Sequence, residues 1–466
     1  MKKLHFSPKI ILKKLHLMES EMFRRKAIDK LKDWKDNFAP QYAVLLEGAR
    51  RVGKSTIAEE FAKENYRSYI KIDFANITNE LSEVFKDIAN LERFFLRLQT
   101  VTGITLYKRE SAIIFDEIQL NPSVRQAIKY LVHDGRYDYI ETGSLISIKK
   151  NVKNIVIPSE EHKIQVHSMD YEEFLWATGN DTFGVLRDLY KLNEEVGNGT
   201  NRKLMKDFRT YMAIGGMPQA VQAYVDGKNF SQIDAIKREI INLYIDDFKK
   251  IDDSGLIGRM YKSIPNQLAT NKKRYIISNA TQKRKIDKDE ERLADLLDSK
   301  TVIPCYNTMN PSITLSQTRD DETFKLYLSD IGLFTTMLFD STPETGENIY
   351  SKLLSDKLPA DLGYLYENAV AQIIISTGRE LYYHTWNKEN STHSYEVDFI
   401  VQSGKKIIPF EVKSSARKNH ESIDTFCAKY KRYIGNSYLL SQKDVSEEEN
   451  LKFKPIYMLP FILEDL

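Results

Sequence analysis

The sequence predicts an α/β protein in three parts: a parallel-sheet domain, a helical middle region and a small α/β domain near the C-terminal end. Three observations lead there. Short apolar runs alternate with helical segments from Tyr42 to Ser168, helical periodicity replaces them after about residue 200, and strands return near residue 380.

The elements follow in order. Met22, Ile28, Leu31 and Trp34 recur at helical spacing, which predicts a leading helix over residues 20–38. Strands are expected at 42–48, 68–74, 111–117, 137–144 and 162–168, the alternation with helices indicating a parallel sheet. The apolar spacing of Ile233, Ile236, Ile240, Ile241, Tyr244 and Phe248 predicts a helix over 231–250. Residues 255–340 read as mostly helical, with one strand at 301–306. A helix over 361–377 opens the last part, followed by a strand at 380–386 and two strands around 396–401 and 406–412. Gly404 suits a hairpin turn between that pair. A helix near 419–433, a strand at 436–441 and a closing apolar segment complete the chain. The expected domains are therefore 20–200, 201–350 and 361–466.

Lys plus Arg number 68 against 66 Asp plus Glu, so a case for nucleic-acid binding has to rest on local patches. Two cysteines far apart, Cys305 and Cys427, give neither a disulfide framework nor zinc spacing and suit a reducing compartment. Lys13 and Lys14 interrupt the N-terminal apolar run, and no stretch approaches the roughly eighteen apolar residues of a membrane span. A cytoplasmic protein with no membrane partner is expected.

Gly48-Ala49-Arg50-Arg51-Val52-Gly53-Lys54-Ser55 fits G-x-x-x-x-G-K-[ST], with an apolar strand before it and a helical run from Thr56 after it. The two glycines let the backbone turn its N–H groups toward phosphate oxygens, and the helix N-terminus adds partial positive charge. Lys54 would reach the β- and γ-phosphates and Ser55 would ligate magnesium. Asp116 and Glu117 end the apolar strand Ala112–Phe115, where an aspartate suits the magnesium shell and a glutamate can orient an attacking water. Thr142 and Ser144 end the next strand, as γ-phosphate sensors or as plain turn formers. The expected cofactor-binding set is Gly48, Arg51, Val52, Gly53, Lys54, Ser55, Thr56, Asp116 and Thr142, with ATP and Mg2+ as cofactors and Lys54 and Glu117 as catalytic groups. Arg125 and Arg136 are candidates for an arginine finger, although most arginines are solvated surface residues.

A second constellation lies near the C-terminal end. Glu411 and Lys413 are two apart on one strand, so they share a face, and Asp398 on the preceding strand can stand alongside. The acids Asp398 and Glu411, with Glu367 from the preceding helix, could hold divalent metal, and Lys413 could help generate hydroxide. The alternative is a solvated face with a surface ion pair. Glu396 is a rival ligand on the face of Asp398, and Pro409 removes a ladder donor, which suggests an edge or a bulge.

The segments GARRVGKS (48–55), IIFDEIQ (113–119), ETGS (141–144), GGMP (215–218), KLYLSDIGL (325–333), YLYENAVAQ (364–372), EVDF (396–399) and FEVKS (410–414) together resemble a bacterial and archaeal family of AAA-type ATPases with an uncharacterised C-terminal region. The resemblance spans about residue 20 to the end. It implies an AAA-like P-loop ATPase core, a winged-helix-like middle region and a C-terminal domain similar to PD-(D/E)xK nucleases. Asp398, Glu411 and Lys413 take the motif positions there, Glu367 matches the helix acid, and Val397 stands where a proline would precede the aspartate. Two basic clusters, Lys272, Lys273, Arg274 and Lys283, Arg284, Lys285, could touch DNA phosphates, but Asp287, Asp289, Glu290 and Glu291 make a solvated charged helix the simpler reading.

These readings lead to an ATP hydrolase whose nucleotide state acts on a nuclease-like domain, with DNA as the expected partner. The competing reading is an ATP-controlled switch with a catalytically silent C-terminal domain, a protein partner and a possible homo-oligomer. A small-molecule kinase is the weakest, since Asp116 and Glu117 suit water activation better.

Overall fold

The computed structural model describes residues 22–143, 159–270, 274–281, 288–312, 314–339, 346–355, 362–389, 391, 393–414, 420–448 and 450–466. They form two compact units. One comprises the described residues of Met1–Leu46, Lys54–Thr142 and Ile157–Ile164, and the other those of Glu47–Gly53, Gly143–Val156 and Gln165–Leu466.

Five strands, β1 (Ala43–Glu47), β2 (Ser68–Asp73), β3 (Ser111–Asp116), β4 (Asp138–Gly143) and β5 (Glu161–Gln165), lie in the order β2-β3-β4-β1-β5. The β2–β3 and β3–β4 pairs are parallel, with Asp73 opposite Asp116 and Phe115 opposite Glu141. β3 and β4 are buried at every residue, as parallel strands covered on both faces are. Because β4 stands between β1 and β3, its last residues end beside Asp116. The helix Pro122–Asp134 starts with proline in its first turn, is capped by the Asn121 side chain, and stops at Gly135 in the left-handed region. Ile70, Ile72, Phe94, Phe115, Ile128 and Tyr139 pack into the core on one face of the sheet.

In the second unit the expected long helix spans Phe230–Ile251, opened by a reciprocal capping box between Asn229 and Gln232, and it buries Ile233, Ile240, Ile241, Tyr244 and Phe248. Three helices follow: Leu256–Ala269, Ile277–Thr281 and Asp289–Asp298. After them comes the antiparallel pair β6 (Val302–Thr308) and β7 (Arg319–Leu328), which completes the helix–helix–helix–hairpin order of a winged helix. β7 was not expected. Its first five residues, Arg319 to Thr323, are all polar and partly or fully exposed; the apolar half begins at Phe324.

The hairpin does not stand alone. β6 pairs in parallel with β8 (Leu381–Asn387), and the sheet continues through β9 (Ser394–Ser403), β10 (Lys406–Val412), β11 (Ser437–Ser441), β12 (Ser446–Glu448) and β13 (Leu451–Pro455). The full order is β12-β13-β11-β10-β9-β8-β6-β7, one sheet of eight strands. Pro409 lies inside this sheet, not at an edge, since β10 has β9 on one side and β11 on the other. Its pairings show no register shift: Pro409 stands opposite Ile400 on β9, and the parallel pairing with β11 begins one residue later, at Phe410. The missing donor thus falls just before the β11 ladder starts.

The segments GGMP and KLYLSDIGL meet in the interior. Asp330 Oδ2 accepts a hydrogen bond from Gly216 N at 2.7 Å, and Oδ1 caps the helix Ile331–Leu338 by accepting from Leu333 N at 2.9 Å. A Cβ on Gly332 would lie 2.3 Å from Ile214 O, and one on Gly216 would lie 2.0 Å from Met169 O. Backbone cannot retreat as a side chain can. Gly332→Ala is therefore expected to lower the unit's stability by about 3 kcal/mol, at the upper end of overpacking effects. Urea unfolding followed by circular dichroism checks this, and an unchanged midpoint would contradict it.

Candidate functional site

The loop after β1 departs from regular backbone at Arg51 (φ 69°) and Gly53 (φ 97°), then enters the helix Lys54–Asn65. Its first glycine is needed for close approach: a Cβ on Gly48 would lie 2.1 Å from Val166 O. Lys54 is 5% exposed, Ser55 half-buried, and Thr56 and Arg51 exposed. The loop also meets the long helix Phe230–Ile251. Buried Tyr244 donates its hydroxyl to Arg50 O at 2.8 Å, and Arg50 Nη1 lies 3.0 Å from both carboxylate oxygens of Asp247.

In the first unit, two hydroxyls converge on one carboxylate. Ser55 Oγ donates to Asp116 Oδ1 at 2.6 Å, and Thr142 Oγ1 donates to the same oxygen. Thr142 in turn accepts from Glu117 N at 3.2 Å. Glu117 takes the left-handed conformation (φ 55°), so the chain turns sharply as β3 ends, and Gln119 Nε2 donates to its carboxylate. A non-glycine residue held there is a strained position of the kind that clusters at working sites. The strand order makes the arrangement possible, since Thr142 ends the strand beside β3.

Two residues the sequence reading passed over belong here. Lys71 on β2 sits 3.8 Å from Asp116 Oδ2 and 2.8 Å from Glu59. Gln119, almost fully buried, holds Glu117. The signal for Gln119 lay in its place two residues after the glutamate. Neither finger candidate stands available. Arg125 is 2% exposed and donates to Glu161 at 3.1 Å within its own unit. Arg136 is held by Asp134 and Glu92 and stacks on Phe95. Ser144, Lys272, Lys273, Lys283, Arg284 and Lys285 lie outside the described residues, and Arg274 is exposed.

Hydroxyl and carboxylate oxygens suit a hard cation such as magnesium, so the Ser55–Asp116 pair fits the ion this fold implies.

The C-terminal constellation does come together. Phe410 stands opposite Phe399, which brings Asp398 beside Glu411, and Asp398 Oδ2 accepts from Val412 N at 2.8 Å. Lys413 Nζ lies 2.5 Å from Glu411 Oε1. Tyr327 donates to Glu367 Oε2 at 2.9 Å. The cluster also contains a cation the sequence reading missed. Lys325 on β7, 5% exposed, lies 2.6 Å from Glu396 Oε1 and 3.8 Å from Glu367 Oε2. Burial acts to lower the proton affinity of Lys325, but the charges of Glu396, Glu367 and Asp398 outweigh it and hold the ammonium. Burial, then the repulsion of Glu411 and Glu367, pushes the Asp398 carboxyl well up. Burial likewise raises Glu411 against the pull of Lys413.

Glu367, Asp398 and Glu411, the acids expected to hold metal, stand in this cluster beside two ammonium groups, Lys325 drawing Glu367 and Glu396 and Lys413 drawing Glu411. Among the described residues no group of three or more His, Cys, Asp or Glu side chains is arranged to hold a metal ion.

Among the described residues no helix is long and apolar enough to cross a membrane. Residues 40–175 match the family described as AAA domain, residues 205–344 a domain of unknown function (DUF8612), and residues 362–459 another (DUF4143). No curated protein matches the chain. Among solved structures it is similar to Cdc6p from Pyrobaculum aerophilum, at 12% identity over 73% of this chain and 97% of that one, with a TM-score of 0.23. A Signal Transduction ATPase with Numerous Domains (STAND) protein with a tetratricopeptide repeat sensor from Pyrococcus horikoshii is similar at 12% identity, 76% and 48% coverage and a TM-score of 0.25. C. elegans PCH-2 is similar at 13% identity, 37% and 46% coverage and a TM-score of 0.19. The chain thus carries an AAA domain of the P-loop ATPase type, followed by two domains of unknown function.

Proposed function

We propose that this chain binds ATP with magnesium and hydrolyses it, and that the nucleotide state is passed to the helix Phe230–Ile251 through Arg50. The observation that carries hydrolysis is the hydrogen-bonded set Ser55, Asp116 and Thr142 with Glu117 turned out beside it. Amide groups of the loop and Lys54 would bind and orient the phosphates. Ser55 and Asp116 would hold magnesium, which when bound neutralises charge on the phosphate oxygens. Glu117 would accept a hydrogen bond from the attacking water and so aim it, while Gln119 keeps the carboxylate in position. Glu117→Gln is expected to cut turnover by about a hundredfold or more with nucleotide affinity nearly unchanged, since only the water-aiming group is altered. Equal turnover of both proteins would sink the hydrolytic role of Glu117.

The route to that helix rests on the Arg50–Asp247 and Arg50–Tyr244 contacts within the second unit. Any shift of the loop on phosphate binding pulls on the helix Phe230–Ile251. Asp247→Asn is expected to change the ratio of ATP to ADP affinity while leaving the protein folded, as titrations with the two nucleotides would reveal.

For the C-terminal domain we favour a binding module over a nuclease. Lys325 supports this, because a buried ammonium among the carboxylates does the neutralising work a divalent ion would otherwise do. The middle region leans the same way with respect to DNA: the helix Asp289–Asp298 carries Asp289, Glu290 and Glu291 in its first turn. Cleavage of plasmid DNA with magnesium or manganese, abolished by Glu411→Ala, would overturn the silent reading and restore the nuclease.

A further inference from the structure

Three helices of the second unit, Phe230–Ile251, Leu256–Ala269 and Ile331–Leu338, line an open cleft of about 280 Å³. Its polar lining is Arg238, Asn242, Lys262, Asn266 and Thr336, and its apolar wall is Ile241 and Met337. No carboxylate lines it among the described residues.

The site is built from behind. Arg238 Nε donates to Asp234 at 2.8 Å, which fixes the guanidinium at the cavity. Asp234 is itself buried, accepting from Tyr350 Oη at 2.5 Å and Thr336 Oγ1 at 2.8 Å, with Lys237 Nζ at 3.8 Å. Lys237 and Arg238 together outweigh that one carboxylate, and Lys262 adds a second net positive charge. Among the described residues Lys262 makes no ion pair, and the side-chain amides of Asn242 and Asn266 make no hydrogen bond. Lys262, Asn242 and Asn266 are exposed, so their donors meet water in the cleft and can exchange it for a ligand rich in acceptors.

We propose that this cavity binds a phosphate group, at a site distinct in residues and chemistry from the loop Gly48–Ser55. A guanidinium fork, an ammonium and two neutral amides match the charge and the several acceptor oxygens of a phosphate. The apolar wall of Ile241 and Met337 leaves room for the organic body of a phosphate ester. The phosphate belongs either to a free small ester or to a nucleic-acid strand, and the experiment separates the two.

The full chain carrying Lys54→Ala, which weakens anion binding at the loop, is titrated with inorganic phosphate and with a short labelled single-stranded oligonucleotide. Phosphate binding is expected, weakened by roughly tenfold or more on adding Lys262→Glu and likewise on adding Asn266→Asp, and retained with Lys262→Arg. Both positions are exposed, so these variants fold, and circular dichroism verifies it. Phosphate binding without oligonucleotide binding identifies a small ester as the ligand. Oligonucleotide binding lost in the same two variants identifies a strand. Phosphate affinity unmoved by Lys262→Glu, or no phosphate binding with the cavity intact, overturns the proposal.

Discussion

Lys54→Ala is expected to weaken ATP binding by about 2–5 kcal/mol, roughly thirty- to several-thousandfold, with the fold preserved. Lys54 is 95% withdrawn from solvent at the first position of its helix, so its charge acts through little water. A phosphate beside an ammonium so placed loses a charge-assisted bond, and the truncated side chain cannot be replaced by rearranging solvent. Alanine keeps the helix, being the best helix former. The loss is therefore in affinity and not in structure. Titration of a fluorescent ATP analogue, with circular dichroism as a control, measures both. An affinity within threefold of the parent chain would mean that nucleotide binds elsewhere or not through this lysine.

Lys325→Met is expected to destabilise the second unit by about 3–5 kcal/mol, the cost of removing one partner from a buried ion cluster. The methionine fills the space, so the effect is electrostatic. Glu396 and Glu367 lose their cation, and the repulsion already raising Asp398 and Glu411 grows. The pH dependence follows in sign. A carboxyl whose folded-state affinity for a proton is raised favours folding below the ordinary carboxylate range, and that contribution is lost as pH rises through the folded-state value. The variant should thus lose most stability near neutral pH and recover part of it on acidification. Adding Glu396→Gln should restore more than independent effects would allow, since the two groups touch. Thermal unfolding across pH tests it. A flat pH profile would remove Lys325 from the charge balance of the cluster.

What could be read from the chain divides along physical lines. Gly48 to Ser55 announces itself because phosphate binding demands glycines, a lysine and a hydroxyl at fixed spacing along one stretch of backbone. Asp116 and Glu117 were visible as charges ending an apolar strand, and Asp398, Glu411 and Lys413 as polar residues alternating with core residues. The hydrogen bond from Thr142 to Asp116 was not, because it depends on β4 lying between β1 and β3, and strand order is not written in local periodicity. Lys325 was hidden for a similar reason. The alternation of Phe324, Leu326 and Leu328 places Lys325 and Tyr327 on one face, but the acids they meet lie on a later helix and strand. Nothing local marks the tight packing of Gly216 and Gly332, which comes from crossings with Met169 and Ile214 on distant segments.

β6 has β7 on one side and β8 on the other, and this governs how the chain can be made and cut. Synthesis delivers β6 and β7 before β8 leaves the ribosome, so for that interval the hairpin offers a bare row of amide and carbonyl groups. A polypeptide stopped between Lys352 and Leu362 would keep that row permanently and would self-associate, with Lys325 stranded beside no acid from Glu367 or Glu396. The two regions of unknown function are accordingly a single unit of manufacture, and expression trials should keep them on one chain.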